Sequence, residues 1–399
     1  MGKQVYDQQL DLRGDGKIPT ISIQADNLAE ATHKAIIACH DYGARVETPK
    51  QRPGMPLGRD ANMLITVRNP DSEPKIYFPG IHDDARGLTQ YSLEVTHGIH
   101  DHWKKTPENP QRWGYTYHER FVDQIPFVME RIKADWDEKK GQWANGNGRP
   151  SGRDYQFAIW RAGEDIILEQ DDAPCWQLGQ IRFLQDSEGG LVMNYQTNWR
   201  SRDLLKAWNE NNIAQVELMK GFRNKIQDML QVPVKLGSYT DHSDSLHLYG
   251  LYYQNDGLEG QVERMKGYKD TGELIEKVGQ MIENDGEASR FKKFFSKKAI
   301  MNNKDNPEFL SNLKEVWSST NYKQKSMSLK NYLGDADEMK RLVAAQMDAE
   351  ANGHGLNQSE DTLKKLGYDL TSFQYPESWN SWDPAFDVKP DITKLARVL

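Results

Sequence analysis

One of the two cysteines in this 399-residue chain stands where a reactive thiol is expected. Cys175 follows a loop signal, Asp171 to Pro174, and comes just before an apolar strand candidate. Cys39 instead falls on the apolar face of a predicted helix, the usual place of a small core residue. A thiolate is a strong nucleophile, and a neighbouring cation lowers the pKa of a thiol. Cys175 is therefore the candidate nucleophile, although a lone cysteine at a strand start is more often structural.

Further polar blocks surround Cys175 in a fixed order along the chain. They are Glu94 and Asp123-Gln124-Ile125 upstream, and Arg200-Ser201-Arg202-Asp203, Asn212-Ile213-Ala214 and Ser245-Leu246-His247-Leu248-Tyr249 downstream. In this order the blocks resemble the core of the thymidylate synthase superfamily. That family has a Pro-Cys nucleophile, then an Arg-Ser-x-Asp block, an Asn at a helix start and a His-x-Tyr block. Each block alone is weak, but the ordered set over residues 45–250 is specific.

Within that superfamily, the chain resembles phage and bacterial nucleotide hydroxymethylases more than ordinary thymidylate synthases. The spacing from Asp203 to Asn212 is one residue longer than in ordinary thymidylate synthases. The segment Trp113 to Arg120 resembles the hydroxymethylases' Tyr-x-Tyr-x-x-Arg block, and Arg153 to Asp165 also has their pattern.

The resemblance implies a catalytic role for Cys175, Glu94 and Arg200. The thiolate would add to C6 of a pyrimidine and so make C5 nucleophilic. Glu94 would organise water and the proton transfers at C5 and O4. Arg200 would lower the thiol pKa and, together with Ser201, would hold the phosphate of a nucleoside monophosphate.

Two more phosphate-binding arginines are implied, one of them from a partner subunit. Arg59 matches the N-terminal one, with Arg52 as the alternative, and Arg153 matches the one that reaches across a dimer. The active protein is therefore expected to be a homodimer. The family usually has two adjacent arginines at the second place, and here Asp154 follows, which removes one phosphate contact.

The substrate base is inferred from Asn212, whose amide can both donate and accept at N3 and O4. In the family an amide here goes with uracil and an acid with cytosine, so dUMP is favoured. Asn211 and Asn209 are alternative matches, and a helix cap is the structural alternative. His247 and Tyr249 resemble the pair that holds the 3'-hydroxyl of the sugar.

Asp203 resembles the residue that contacts the pterin of the cosubstrate, 5,10-methylenetetrahydrofolate. Hydride transfer to the exocyclic methylene gives a methyl group, whereas attack by water gives a hydroxymethyl group. The family's tryptophan-bearing segment is not recognisable in His97 to Trp113, the tail Lys394 to Leu399 differs from the usual one, and Trp176 replaces a common histidine. These departures predict a hydroxymethylase; thymidylate synthase and dCMP hydroxymethylase are the alternatives.

Periodicity predicts the elements that position these residues. The predicted helices are Ala25–Asp41, Phe121–Lys133, Asn211–Leu230 and Gly272–Asn284, and the predicted strands are Met63–Val67, Tyr155–Trp160, Gln180–Leu184, Leu191–Thr197 and Ser238–Tyr249. The fold class is therefore α+β, a thymidylate synthase-like mixed sheet with flanking helices. A catalytic core is expected over residues 1–256 and a helical C-terminal extension over residues 257–399.

Composition narrows the remaining possibilities. Two cysteines argue against a disulfide scaffold and fit a reducing cytoplasm, that of the host if a phage encodes the chain. The net charge of -8 argues against general binding to nucleic-acid duplexes. Residues Met1 to Arg13 lack an apolar core, so no signal peptide is expected, and no apolar run is long enough for a membrane span.

Two other functions are consistent with parts of the sequence. A metal hydrolase is suggested by two clusters of candidate ligands, which are His97, His100, Asp101 and His102, and Asp241, His242, Asp244 and His247. Neither has a helical His-x-x-x-His spacing, so no metal is expected. A non-catalytic binding protein is the other rival, and the joint presence of Cys175, Arg200, Asp203 and His247 argues against it.

Overall fold

The computed structural model describes most of the chain up to residue 267 and part of the C-terminal region. The described residues are 16–48, 52–72, 75, 77, 85–108, 110, 112–137, 142–143, 152–167, 172–255, 257–267, 336–355 and 358–380. The predicted helix Gly272–Asn284 and the tail Lys394–Leu399 lie outside them.

Ten strands and ten helices are defined in these ranges. The strands are β1 (Thr20–Ala25), β2 (Ala44–Val46), β3 (Gly58–Val67), β4 (Trp136–Asp137), β5 (Gln142–Trp143), β6 (Gln156–Ala158), β7 (Trp176–Gln185), β8 (Leu191–Trp199), β9 (Arg202–Asp203) and β10 (Val234–Leu248). The helices are α1 (Leu28–Tyr42), α2 (Ala85–His97), α3 (Tyr117–Phe121), α4 (Ile125–Ala134), α5 (Ala162–Asp165), α6 (Trp208–Leu230), α7 (Gly250–Asn255), α8 (Leu258–Lys266), α9 (Ala336–Ala351) and α10 (Glu360–Lys365).

Eight strands form one mixed sheet, in the order β1-β3-β10-β8-β7-β6, with β2 beside β3 and β9 beside β10. β10 is parallel to β8 and β9 and antiparallel to β3, and β7 is antiparallel to both β8 and β6. The predicted α+β class, a mixed sheet with flanking helices, is confirmed. The register shifts between Trp176 and Leu178 and again between Ser243 and Leu246. Such bulges re-aim side chains and are frequent beside active sites.

Helices cover one face of this sheet. α1 packs on β1 and β3, and α6 packs on β10 and against α2. The inward strand residues are apolar, for example Ile65, Met193 and Tyr239, and α6 contributes Trp208 and Phe222 to the same core. Because β-strand side chains alternate, the other face carries the polar residues of the same strands.

The opposite face of the sheet is rich in amide and hydroxyl side chains. His242 at its centre contacts Asn198 through Nδ1 at 3.1 Å and Asn62 through Nε2 at 3.2 Å. Thr66 and Thr240 bring their hydroxyls to 3.4 Å across β3 and β10. Leu64 is 41% exposed there.

The predicted strands are found, most of them longer than predicted, whereas Tyr155–Trp160 is reduced to β6. The first predicted helix begins at Leu28 rather than Ala25. Ala25 is the last residue of β1, and Asn27 caps α1 by accepting the backbone N–H of Glu30 at 2.9 Å.

The second predicted helix, Phe121–Lys133, is divided. α3 ends at Phe121, a short 3₁₀ turn follows over Val122–Gln124, and α4 begins at Ile125. Pro126 stands in the first turn of α4, where its missing N–H costs no hydrogen bond. Proline therefore favours a new helix start here, which an apolar period alone does not reveal.

The third predicted helix begins three residues earlier than expected, at Trp208 instead of Asn211. The Trp208 side chain is completely buried, and its indole Nε1 donates to Asp241 at 3.1 Å. Packing of this residue extends the helix towards its N-terminus. Asn212 therefore lies one turn inside α6 and is not a helix cap.

The described C-terminal elements pack on the core. α8 contributes Leu258 and Val262 to the main hydrophobic cluster, and α9 places Val343 and Ala344 against Leu93 of α2. The division of the chain near residue 256 stays a prediction. In the described parts of the chain, no helix is long and apolar enough to cross a membrane.

Candidate active site

Cys175 lies immediately before β7, at the end of the sheet where β8 also ends. Its carbonyl accepts the backbone N–H of Arg200 at 2.8 Å, so the residues before β7 and after β8 are hydrogen-bonded together. The register of β7 against β8 shifts just after this residue, between Trp176 and Leu178. The thiol is half-buried and packs against the main core.

The charge environment of the thiol differs from the sequence expectation. Burial raises the pKa of Cys175 above its ordinary value, the Arg200 charge lowers it, Asp172 raises it and Arg202 lowers it. The predicted effect of a nearby cation is present, because Arg200 lowers this pKa, but desolvation of the thiolate outweighs both arginines, and the net change is an increase. The arginines limit the increase in pKa without reversing it.

Arg200 is bonded to the loop that carries the cysteine. Its Nε donates to the carbonyl of Pro174 at 3.1 Å, and its Nη2 donates to the carbonyl of Ala173 at 2.6 Å. The guanidinium thus fixes the loop in front of Cys175. Ser201 follows, half-buried, between Arg200 and β9.

An aromatic cluster lies behind the nucleophile. Trp176 and Trp199 stack with ring centroids 5.8 Å apart, and Tyr117 meets both rings edge-on at 5.7 Å. Both tryptophans are almost completely buried. Large rings packed in this way leave little room for the backbone at Cys175 to move.

Sequence reasoning missed the function of Arg202, which is buried under the site. It forms an ion pair with Asp241, donates to Ser243 Oγ at 2.7 Å, and places its guanidinium 4.0 Å from the centre of the Trp199 ring. A buried charge needs a partner of this kind. The only sequence signal was the second arginine of the Arg-Ser-Arg-Asp block.

The three candidate asparagines have different environments. Asn209 is saturated by backbone and side-chain partners of Thr32, Lys75 and Tyr77. Asn211 donates to the Tyr91 hydroxyl at 2.7 Å.

Asn212, the preferred candidate, is completely buried beside Arg202. Its Oδ1 accepts from the Tyr239 hydroxyl at 2.6 Å and from Arg202 Nη1 at 3.3 Å. Its Nδ2 is buried and has no hydrogen-bond partner among the described residues. The two donors at Oδ1 fix the amide orientation, so the group that Asn212 offers to a ligand is an N–H.

His247 lies near the end of β10, and Tyr249 follows the last residue of that strand. Their rings meet edge-on at 4.7 Å, and His247 Nδ1 is 3.3 Å from Ser245 Oγ. The pKa of Tyr249 is raised by burial, by Asp203 and by Cys175, which puts its hydroxyl within electrostatic range of both groups.

Asp203 pairs with His247 between β9 and β10, but its carboxylate is engaged. Its Oδ1 accepts the backbone N–H groups of Leu205 and Lys206 at 3.0 and 3.1 Å, and its Oδ2 accepts from the Tyr252 hydroxyl. These contacts hold the turn that leads into α6. A contact with a pterin would have to be made in addition to them.

A cavity of about 240 Å³ has Glu94 of α2 in its wall. Its lining residues are Tyr91, Glu94, Val95, His100, Asp101, Trp113, Tyr115, Thr116, Tyr117 and Asp172. Burial raises the pKa of Tyr115 and of Tyr117, and the Cys175 charge contributes to both increases. The thiol therefore lies within electrostatic range of the cavity wall.

Glu94 itself belongs to α2 and is paired with His100. Its Oε1 lies 2.7 Å from His100 Nδ1, and its side chain is 21% exposed. Sequence reasoning considered His100 only as a metal ligand. Trp113, 44% exposed, also lines the cavity, although the segment from His97 to Trp113 did not match the family's tryptophan-bearing segment.

Of the other predicted phosphate arginines, Arg59 lies on β3 opposite Leu248, which stands between His247 and Tyr249 in the sequence. Arg59 donates to the carbonyls of Leu57 and Gly58 and places its guanidinium 5.0 Å from the Tyr253 ring centre. Arg52 and Arg153 are exposed, and Arg153 lies just before the edge strand β6. The contacts of these three arginines do not include Cys175.

The proposed metal clusters are engaged with protein groups. Their contacts are His97 with Thr96, His100 with Glu94, Asp101 with Thr116 and His118, His102 with Glu350, Asp241 with Arg202, His242 with Asn198 and Asn62, and His247 with Ser245. In the described ranges, no group of three or more such side chains is arranged to hold a metal ion.

Comparison with known proteins gives limited information. No family model matches the chain, and no curated protein matches it. Among solved structures, the chain is similar to the thermostable thymidylate synthase A from Bacillus subtilis, with a TM-score of 0.39 and 14% identity, over 59% of this chain and 84% of that chain. A likeness at this level establishes neither the family nor the activity of the chain.

Proposed function

We propose that this protein transfers a one-carbon unit from 5,10-methylenetetrahydrofolate to C5 of a pyrimidine nucleoside monophosphate and releases the hydroxymethyl product. dUMP is the favoured substrate. The observation that carries the proposal is the proximity of a half-buried thiol, two arginines and a His-Tyr pair at the sheet end. The Cys175 charge also contributes to the raised pKa values of Tyr115 and Tyr117, which line a cavity that has the Glu94 carboxylate in its wall.

The chemistry follows from these groups. Cys175 loses its proton and forms a bond from Sγ to C6, and the electrons of the C5–C6 bond move towards O4. The folate supplies the one-carbon unit that C5 then attacks. Glu94 takes the C5 proton and passes it to the folate nitrogen as the bond from that nitrogen to the one-carbon unit breaks, so tetrahydrofolate leaves and an exocyclic methylene remains. Glu94, ionised again, then takes a proton from the water that adds to this methylene, and the electrons move to O4. Release of Sγ from C6 restores the ring.

The surroundings of the thiol suit a reversible nucleophile. Because the pKa of Cys175 is not depressed, its thiolate is a stronger nucleophile than that of a more acidic thiol. The same property makes the thiolate leave C6 more slowly. An anionic substrate would add a further negative charge near Cys175. Arg200 and Arg202 are then the groups whose charges lower the pKa of the thiol and so favour the thiolate. This supports a role for Arg200 in activation.

The base is chosen by Asn212 in this proposal. Its Nδ2–H can donate to O4 of uracil, as the dUMP assignment requires. Its Oδ1 already accepts from Tyr239 and Arg202 and so has no lone pair left for the N3–H of uracil. Cytosine has an acceptor at N3, so this observation also favours dCMP as the second candidate substrate.

Trp113 bears on the choice between hydroxymethyl and methyl. An indole in the cavity wall can exclude water from part of the site. Hydroxymethyl transfer is proposed because of the sequence departures in the segment His97 to Trp113, at Trp176 and in the tail Lys394 to Leu399. Trp113 keeps methyl transfer to dUMP, the thymidylate synthase reaction, as the alternative.

A homodimer belongs to the same proposal. The sheet face around His242 would pair with a second copy, and Arg153 would reach the partner's phosphate site.

Light scattering gives the mass of the protein in solution. Mixing Cys175→Ala with Arg153→Ala subunits should restore part of the activity that each lacks alone, because one site of the hybrid carries neither change. No restoration would remove Arg153 from the proposal.

One reaction experiment tests the function. Purified protein is incubated with 5,10-methylenetetrahydrofolate and dUMP, dCMP, UMP or CMP, and products are identified by mass. A 5-hydroxymethyl product without dihydrofolate supports the proposal. A 5-methyl product with dihydrofolate would make the reaction thymidylate synthesis, and no turnover with any nucleotide would favour a binding protein.

A further inference from the structure

Glu94 is held by a turn that brings the chain back beneath it. Gly98 ends α2 with a φ of +62°, a left-handed conformation that suits glycine, and its N–H bonds to the Glu94 carbonyl at 3.2 Å. The reversal brings His100 Nδ1 to 2.7 Å from Glu94 Oε1. A carboxylate oxygen can accept this hydrogen bond, and Nδ1–H of His100 can donate it.

The His100 ring is held on its other side by an indole. It stacks on Trp103 with ring centroids 3.7 Å apart and an interplanar angle of 12°, and Trp113 meets it edge-on at 6.0 Å. The imidazole is 2% exposed. Its plane is therefore set by Trp103 rather than by solvent, and with it the direction of the hydrogen bond to Glu94.

Trp103 is in turn anchored by the C-terminal helix α9. Its Nε1 donates to Glu350 Oε2 at 3.0 Å, and the same oxygen contacts His102 Nε2. The Glu350 side chain is 6% exposed. α9 also buries Val343 against Leu93 of α2 and Ile99 of the turn. Trp103 and Glu350 are 247 residues apart in sequence, so a distant helix supports the segment that contacts Glu94.

We propose that α9 is a working part of the active site: Glu350 fixes Trp103, Trp103 fixes the plane of His100, and His100 positions the Glu94 carboxylate. His100, Trp103 and Glu350 are positioning residues, because they act through Glu94. The contacts themselves do not depend on the reaction. Only the catalytic consequence rests on the proposed function, and the test separates the two.

Four variants test the chain of contacts. His100→Phe keeps the stack on Trp103 but has no N–H, Trp103→Phe keeps a ring but has no indole donor, and Glu350→Ala removes the anchor. Asp348→Ala is the matched control, because this carboxylate on the same helix bonds Asn352 and Tyr368 within the C-terminal segment. Thermal unfolding of each variant measures general loss of stability.

We expect His100→Phe to lower kcat by about tenfold or more with little change in nucleotide KM. Glu350→Ala and Trp103→Phe should each lower kcat several-fold with little change in nucleotide KM, and the variant that carries both changes should lose no more than either single one. Equal losses in Glu350→Ala and Asp348→Ala, or no loss in Glu350→Ala, would overturn the proposal.

A second readout does not need turnover. In long-range proton–nitrogen NMR spectra of histidine-labelled protein, the His100 ring signals are identified by their loss in His100→Phe. They should shift in Glu350→Ala and in Trp103→Phe and stay in place in Asp348→Ala. If the wild type converts no pyrimidine nucleotide, the proposed function fails, and these shifts still decide whether α9 positions His100. Unchanged signals would reject the coupling.

Discussion

Two regions of the molecule, which we call the nucleophile side around Cys175 and the carboxylate side around Glu94, are built in different ways. On the nucleophile side, Cys175 stands at the end of β7 and is bonded through its backbone to Arg200 at the end of β8. On the carboxylate side, Glu94 stands near the end of α2 and is supported by a turn and by α9. The first side is fixed by the backbone ladder of a sheet, the second by side-chain contacts between distant segments.

This difference affects rigidity. A strand end in a mixed sheet is held by ladder hydrogen bonds and by the stacked Trp176 and Trp199 behind it. The position of the Glu94 carboxylate depends on three side chains that contact one another in turn, those of His100, Trp103 and Glu350. A change in any of these side chains should therefore alter the position of the Glu94 carboxylate but not that of the Cys175 thiol. The following predictions use this contrast.

The largest effect is expected at the nucleophile itself. Cys175→Ser should lower turnover by about 10⁴-fold or more, because a hydroxyl is a far poorer nucleophile than a thiolate near neutral pH. Cys39→Ala is the control, since that thiol is completely buried in the core beneath the site. It should cost some stability and leave turnover close to the wild type. The reverse pattern in product assays would mean that the wrong cysteine was assigned.

The next effect concerns the buried ion pair under the nucleophile side. Arg202→Met leaves the Asp241 carboxylate without its charge partner in a site that has no solvent access, and should destabilise the fold by about 3–5 kcal/mol. Urea denaturation measures this loss. Arg202→Met combined with Asp241→Leu should recover part of it. A double variant as unstable as the sum of both single ones would mean that the two charges do not act as a pair.

The carboxylate side is tested at its turn. Gly98→Ala places a methyl group against Asp101 and His118 at a positive φ, and should cost about 1–3 kcal/mol and displace His100. Gly189→Ala, in the turn between β7 and β8, also has a positive φ but meets no atom within 4 Å. The difference between the two variants isolates the clash. Alkylation of Cys175 should be unchanged in both, and a slower rate in Gly98→Ala would show that the two sides are coupled.

The sequence grouped the residues near Cys175 more readily than the residues that support Glu94, for a physical reason. Strand ends carry their functional residues in short local blocks, so Cys175, Arg200 and His247 could be grouped by order alone. The start of α6 was misplaced because burial of Trp208, a tertiary effect, extends the helix. The raised pKa of Cys175 was missed because burial of the thiol is not visible in a local motif.

The support of Glu94 could not be predicted in the same way. The Glu94–His100 pair depends on the left-handed turn at Gly98, and the spacing of six residues with a glycine between was its only local signal. Glu350 is separated from Trp103 by 247 residues, and no pattern in the sequence connects them. Similarly, Arg202 stood inside a recognised block, but its ion pair with Asp241 forms only when β9 pairs with β10.

The smallest expected effect separates charge from geometry at Arg200. Burial raises the Cys175 pKa and Arg200 opposes the increase, so Arg200→Gln should raise this pKa further and reduce the thiolate fraction at a given pH. Alkylation by iodoacetamide at pH 8 should become several-fold slower, and its pH profile should move to higher pH. Arg200→Lys keeps the charge but loses the two-carbonyl contact with the loop, and it should retain most of the wild-type rate. If both variants slow alkylation equally, Arg200 acts on Cys175 by holding the loop rather than by its charge.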